Sequence, residues 1–342
     1  MAQTNYNTTL GRNLIRAEQE MLRHVEAIEV LGPFGKQMQQ PKNRTDTIVF
    51  RRLNVFNMAA NGTPQIDPNY FRLSEGTNPP THGHTYTDVS VTLKQYGYVE
   101  KFSDKAADMY EDDIPGDARV MTGNVIAEIG ELIRYGQIKA GTNVDYSNGT
   151  TRVGINSALT LSAIRRVVRT LMSARASRVT TKLSAGPNFG TSAVKAGFYG
   201  FAHTDMNPDI RDLPGFIAAE EYGSGTVAHP NEIGAVEEVR FITSPIFAPF
   251  LAAGAAVGAT GMKAANATNI DVYPLIITAA DAWGSVALKG QGAVKAILIP
   301  AVPSANTPLG MYGFCGAKFW TESVRLNENF MARIETAVRS LA

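Results

Sequence analysis

Residues 47–56, TIVFRRLNVF, and residues 88–99, DVSVTLKQYGYV, decide how this chain is read. The first is dense in β-branched and aromatic side chains. The second alternates Val89, Val91 and Leu93 with Ser90, Thr92 and Lys94, the period of a strand with one apolar face. Between them lie about thirty residues punctuated by Asn61-Gly62, Pro64, Pro68 and Pro79-Pro80. A structureless loop of that length is uncommon inside a compact domain. The two strands and their connection are therefore expected to project together as an extended, hairpin-like loop. A lone two-stranded ribbon is marginal in water, so this projection calls for a partner surface.

On the N-terminal side, residues 12–30 have the spacing of an amphipathic helix. Leu14, Met21, Leu22, Val25 and Ile28 share a face, Arg12, Arg16, Glu20 and Arg23 lie off it, and Gly32-Pro33 stops it. A polar tail before it and a Gly/Gln/Pro-rich stretch over residues 35–41 suggest an arm. On the C-terminal side, Asp117 is expected to cap a helix over residues 118–140, with Met121, Val125, Ile129, Leu132, Gly136 and Ala140 as its buried stripe and Gly141 ending it. It would be roughly 35 Å long. A second helix over 161–176 is expected to bury Leu161, Ile164, Val167, Val168, Leu171 and Met172. Short apolar runs at 239–243, 275–278, 296–299 and 330–334 then read as strands. The Ala/Gly-rich segment 246–270 reads as an insertion, and no fixed-period repeat is visible.

The whole chain has 342 residues, 32 Lys and Arg against 31 Asp and Glu, and one cysteine, Cys315. A chain of this length can bury roughly three quarters of its surface without cross-links. The single cysteine fits a reducing compartment. The near-zero net charge argues against an obligate, strongly basic nucleic-acid coat. The polar start predicts no secretory leader, and residues 241–262, broken by Pro245 and Pro249, make a poor membrane span.

Charge is nonetheless blocked along the chain. Residues 146–204 hold Arg152, Arg165, Arg166, Arg169, Arg175, Arg178, Lys182 and Lys195 and no acid. Residues 205–238 hold eight acids against Arg211 alone, and residues 100–117 hold seven acids against Lys101 and Lys105. Such blocks can attract one another within a subunit or between copies, or pair locally as solvated faces.

No catalytic constellation is legible. The chain lacks a Gly-x-Ser-x-Gly elbow, and residues 32–36 miss the spacing and hydroxyl of a phosphate loop. Gly290-Gln291-Gly292 separates strand-like runs and does not open a helix. His82 and His84 lack firm third and fourth metal ligands, and His203 near Asp205 lacks a nucleophile. Arg165, Arg166 and Arg169 form a candidate electrostatic surface. Without interleaved aromatics they could meet nucleic acid only as phosphate, blind to sequence. The alternative function is accordingly a sequence-nonspecific nucleic-acid-binding protein that uses the basic 146–204 block.

Several words in fixed order carry a resemblance: Pro41-Lys42-Asn43 leading into Ile48-Val49-Phe50-Arg51-Arg52; Leu73-Ser74-Glu75-Gly76-Thr77; Gln95-Tyr96-Gly97-Tyr98-Val99-Glu100 followed by Phe102-Ser103-Asp104; Ala140-Gly141-Thr142-Asn143-Val144; and the closing residues 324–335. In these the chain resembles the major capsid proteins of tailed bacteriophages with the HK97-type fold, particularly the podovirus-like coat branch. The resemblance implies an α+β fold with an N-terminal arm (1–45), an extended loop (46–104), a peripheral domain with a spine helix (105–158), an axial domain (159–310, with the possible insertion 246–270) and a returning peripheral strand (311–342). It implies a non-enzymatic subunit that assembles through hexamers and pentamers into an icosahedral virion head enclosing double-stranded DNA, in the host cytoplasm. Scaffolding, portal and decoration proteins are implied partners and packaged DNA a nonspecific one; no membrane, cofactor or metal is implied. Arg51, Arg52, Glu75, Lys94 and Asp104 are the candidate intersubunit contacts. Arg51 and Arg52 in particular are expected to meet a neighbour's acids, in the 100–117 block. Lys94 sits at the base of the loop, so the lysine cross-linking of some relatives is not expected.

Overall fold

The computed structural model describes residues 29–41, 43–54, 68–69, 71–76, 78, 81–111, 113–179, 196–222, 227–258, 261–266, 268–289, 295–303 and 307–341. Most of the expected 12–30 helix, and Lys182, Lys195 and Gly290-Gln291-Gly292, lie outside the described residues. In chain order the first elements are β1 (Lys36–Gln40), β2 (Thr47–Leu53), β3 (Tyr86–Thr92), β4 (Lys94–Ser103), α1 (Asp104–Met109), α2 (Ile114–Lys139) and β5 (Val144–Tyr146). Then come α3 (Leu161–Ser173), β6 (Phe198–Ala202), α4 (Asn207–Arg211), β7 (Phe216–Ala218), β8 (Glu232–Val236) and β9 (Val239–Thr243). The last are β10 (Tyr273–Thr278), β11 (Trp283–Leu288), β12 (Lys295–Ile299), β13 (Tyr312–Arg325) and β14 (Met331–Thr336).

Three sheets result. The largest has the order β5-β14-β10-β6-β9-β8-β7. Its central strands β6, β9, β10 and β14 are buried at every position, which is why the sequence shows them as continuous apolar runs without alternation. Alternate residues feed two cores. Phe198, Phe241, Leu275, Ile277 and Ile334 pack with Ile164, Val167 and Leu171 of α3. Tyr199, Phe201, Ile242 and Ile276 point the other way, to Val30, Leu31, Tyr135, Ile138 and Phe247.

The second sheet is organised by β13. Its residues 312–321 pair antiparallel with β4, while the opposite edge takes β12 at 314–318 and β11 at 321–325, with β1 parallel to β11 beyond. Helix α2 lies across this sheet. Ala118 packs with Phe102 and Cys315, and Ile126 with Ala317 and Phe319. The third sheet is β2 with β3 alone.

Several expectations are corrected. The 88–99 stretch is two strands, because Leu93 turns into a small core with Phe50, Val91 and Val286 and hands the chain to another sheet. The projection therefore closes at Thr92, and residues 94–103 are part of the body, not of a loop running to 104. The arm cannot extend to residue 45, since Val30 and Leu31 are fully buried and β1 is a sheet strand. Helix α2 starts at Ile114, one turn earlier than expected: Asp113, not Asp117, caps it by accepting the Gly116 N–H, with Pro115 in its first turn. Its buried positions are Ala118, Thr122, Ile126, Gly130, Glu131, Tyr135 and Ile138, so the stripe read from periodicity is the wrong face. Helix α3 ends at Ser173, and Met172 is exposed. Segment 246–270 has a core of its own, with Phe250, Ala253, Val257 and Met262 against Ile155, Ile270, Val272 and Ala337.

Candidate intersubunit surfaces

The ribbon of β2 and β3 is a two-stranded sheet that packs on the body through one apolar face. The pairing is regular from Thr47↔Thr92 to Leu53↔Tyr86. One face carries Ile48 and Phe50 opposite Val91 and Val89, and this face reaches Trp320, Val324 and Leu326 of the body. The other face carries Val49, Leu53 and Tyr86, the last two 55% and 56% exposed. Cross-strand polar pairs stiffen it. Thr47 and Thr92 share a hydroxyl contact at 3.1 Å, and Thr87 donates to Asn54 at 2.8 Å.

The predicted contact residues separate here into two kinds. Arg51 sits directly across the ribbon from Asp88 and holds it bidentately at 2.8 and 2.9 Å, with its guanidinium over Tyr86. The hydrogen bond to Arg51 keeps the Asp88 carboxyl below its usual range. Arg51 is thus engaged by its own hairpin. Lys94 is likewise engaged, at 2.8 Å from the nearly buried Glu322, and that hydrogen bond raises its pKa. The Asp104 carboxylate accepts the Lys105 N–H in the first turn of α1. Arg52 and Glu75 are exposed and form no ion pair among the described residues.

A second surface is the outward face of the β4–β13–β12 region, opposite α2. Inward-facing Tyr96, Tyr98 and Phe102 leave Gly97, Val99 and Lys101 on the other side, beside Gly316, Phe314, Ile297 and Ile299. Val99 is 66% exposed, and β12 presents Ile297, Leu298 and Ile299 at the sheet edge. Lys101 covers Tyr312 at 3.5 Å. Gly316 is required where it stands, because a Cβ would lie 2.8 Å from the Tyr98 carbonyl oxygen.

The basic block is partly paired within the subunit. Arg165 pairs with Glu237, and Arg178 with Glu238 at 2.8 Å, so the basic block meets the acidic 205–238 block within one subunit. Arg166 takes Asp145 at 2.8 Å. Arg169 is exposed and forms no ion pair among the described residues. Arg152 and Arg333 converge on the buried Glu335, at 2.7 and 2.8 Å, and Arg333 also donates to the Lys139 and Gly141 carbonyls at the end of α2. That places a cation on the negative end of the helix. Sequence reasoning missed this cluster because Arg333 and Glu335 alternate with apolar residues inside an apparently ordinary strand.

The remaining chemical candidates dissolve into structure. His203 Nδ1 accepts the Asp205 N–H at 3.0 Å and caps a turn, and the His82 ring lies tilted against Phe71 at 5.4 Å. Among the described residues no group of His, Cys, Asp and Glu is placed to hold a metal. None of their helices is long and apolar enough to cross a membrane.

No family model matches the sequence. Among solved structures, the capsid of Ralstonia phage GP4 superposes over 97% of both chains with a TM-score of 0.66 at 11% identity. The fold is that of the HK97-type phage capsid subunits. The head structure of Helicobacter pylori bacteriophage KHP40 matches with a TM-score of 0.59 over 98% of this chain and 96% of that one, at 10% identity. In sequence, the chain is 22% identical to the major capsid protein of Pseudomonas phage KPP21 over 268 residues, 72% of this chain and 67% of that protein. The expected α+β capsid fold is borne out. In it a projecting ribbon and a broad open sheet face follow from the strand order described above.

Proposed function

We propose that this chain is the major capsid protein of a tailed phage, a structural subunit that performs no turnover and closes with its own copies, as hexamers and pentamers, into an icosahedral head around double-stranded DNA. The observation that carries this reading is the β2–β3 ribbon, which packs on the body through its Ile48–Phe50 face and leaves Val49, Leu53 and Tyr86 exposed on the other. A capsid fold supplies copies around closed axes, and closure multiplies contacts that are individually weak. On this reading residues 46–92 lie across the adjacent subunit, α2 is the spine of the peripheral domain, and α3 with the strands β6 to β10 belongs to the axial domain. Arg52 and Glu75 are the charged contacts offered to a neighbour. Scaffolding, portal and decoration proteins are the partners, contact with packaged DNA is nonspecific, and assembly takes place in the host cytoplasm.

Deleting residues 59–86 and rejoining the strands tests the reading. The expected product is a folded subunit with wild-type secondary structure by circular dichroism and no particles by electron microscopy. Normal shells from that deletion would overturn the assignment. The nucleic-acid-binding alternative is disfavoured by the internal pairing of Arg165, Arg166 and Arg178.

A further inference from the structure

Two Asn-Gly dipeptides occur in the sequence, 61–62 and 148–149, each followed by threonine. An asparagine amide is lost most readily before glycine, because glycine has no Cβ to hinder its own nitrogen from reaching the preceding side chain. Asn61 lies outside the described residues. Asn148 stands at the start of a loop, residues 147–157, and its side chain holds that loop together. Its Nδ2 donates to the Gly154 carbonyl at 3.1 Å and to Asn156 Oδ1 at 2.7 Å. Its Oδ1 accepts the Asn156 N–H at 3.1 Å and the Ser157 hydroxyl at 3.0 Å. Gly149 is exposed, with a φ of +73°. The same loop carries Arg152, which takes both oxygens of the fully buried Glu335 at 2.7 Å and lies 3.7 Å over the Phe250 ring.

We propose that Asn148 is a deamidation site which the fold keeps closed, and that its conversion stops the loop from reclosing and releases Arg152 from Glu335. In the reaction the Gly149 nitrogen bonds to Asn148 Cγ, the Cγ–Nδ2 bond breaks, and the Gly149 proton leaves with the amide as ammonia. Water, which reaches the exposed Gly149, then adds across one C–N bond of the five-membered imide. Its hydroxyl goes to carbon and its proton returns to nitrogen, leaving aspartate or isoaspartate at position 148. The four hydrogen bonds commit the amide to residues 154–157, so ring closure waits for local opening of the loop. The product cannot re-form that arrangement. A carboxylate has no N–H to give, and it sets oxygen against the Gly154 carbonyl and Asn156 Oδ1 where donors stood. Isoaspartate also adds a methylene to the backbone. The proposal concerns the single subunit and holds whether or not the subunit forms shells.

Two measurements on the full-length, unassembled subunit test it. The wild-type chain is incubated in mildly alkaline buffer with and without urea, and deamidation at Asn148 and Asn61 is followed by peptide mass spectrometry. In urea the two asparagines, in like sequence, are expected to react at like rates. Without urea Asn148 should react at least about tenfold more slowly than in urea, as for a group exposed only by opening. Equal rates at Asn148 in the two buffers, or a rate in urea far below that of Asn61, would overturn the proposal. The release of Arg152 is read by limited trypsin digestion of Asn148→Asp, which carries the aspartate product. Cleavage after Arg152 should be about tenfold faster than in wild type, with cleavage after Arg178, held by its own pair to Glu238, unchanged. Acceleration at both sites alike, or at neither, would overturn it.

Discussion

Two backbone N–H groups end on one oxygen of Glu131, a carboxylate whose side chain is 1% exposed. Glu131→Ala would leave both donors buried without a partner, and each such group costs about 1–3 kcal/mol. Chemical denaturation of the unassembled subunit should show a loss of about 3 kcal/mol for Ala and under half of that for Gln, which keeps an acceptor oxygen. Asp205 supplies the acid limb. Burial acts to raise its pKa, but hydrogen bonds from Lys263 at 2.6 Å and Tyr273 at 2.8 Å, with His203 nearby, outweigh it and leave the carboxyl below its usual range. The unfolded chain therefore takes up this proton at higher pH than the folded one. The stabilisation is complete above the ordinary carboxylate range and is lost as pH falls through the lowered folded value. Asp205→Asn should flatten that part of the pH–stability curve, and an unchanged acid limb would show that Asp205 contributes nothing to it.

At the scale of elements, β4 separates folding from association. Its inward residues Tyr96, Tyr98 and Phe102 hold α2, while Val99 points away and is 66% exposed. Val99→Asp should leave the thermal midpoint of the isolated subunit within about 2 °C of wild type, since exposed substitutions change stability little. Particle yield by sedimentation should nonetheless fall sharply. The ribbon behaves differently. Arg51→Asp or Asp88→Arg alone should loosen it, and the double exchange should restore it, because the two residues face each other across one register position. Shell formation that tracks this restoration would place the pair's role inside the hairpin. Failure of the double exchange would return Arg51 to a neighbour's surface.

For the whole molecule, the internal pairing of Arg152, Arg165, Arg166 and Arg178 predicts weak binding to DNA. The affinity of the isolated subunit for duplex DNA should fall with salt at a slope corresponding to no more than about two phosphates. A steep slope would favour the basic 146–204 surface as a true nucleic-acid interface. Much of the architecture was legible beforehand. The paired strands at 47–56 and 88–99, the long helix and the strand runs at 239–243 and 275–278 all have counterparts, because each depends on the chemistry of adjacent residues. The local signals erred where two equally good choices lay side by side: Asp113 against Asp117 as cap, and one helix face against another. Of the proposed contacts, Arg51 and Lys94 could not be separated in advance from Arg52 and Glu75. Their partners Asp88 and Glu322 lie 37 and 228 positions away.

The amino-acid sequence by itself determined the inventory: which stretches are strands or helices, that a long connection joins two of those strands, and that no catalytic set is legible. Periodicity and turn chemistry act over a few residues and survive without a fold. Only the tertiary structure decided which face of α2 is buried, that Leu93 ends the ribbon and passes the chain to the body, and that Arg165 and Arg178 meet Glu237 and Glu238 inside one subunit. Those outcomes depend on which distant segments arrive side by side, and no spacing along the chain records that.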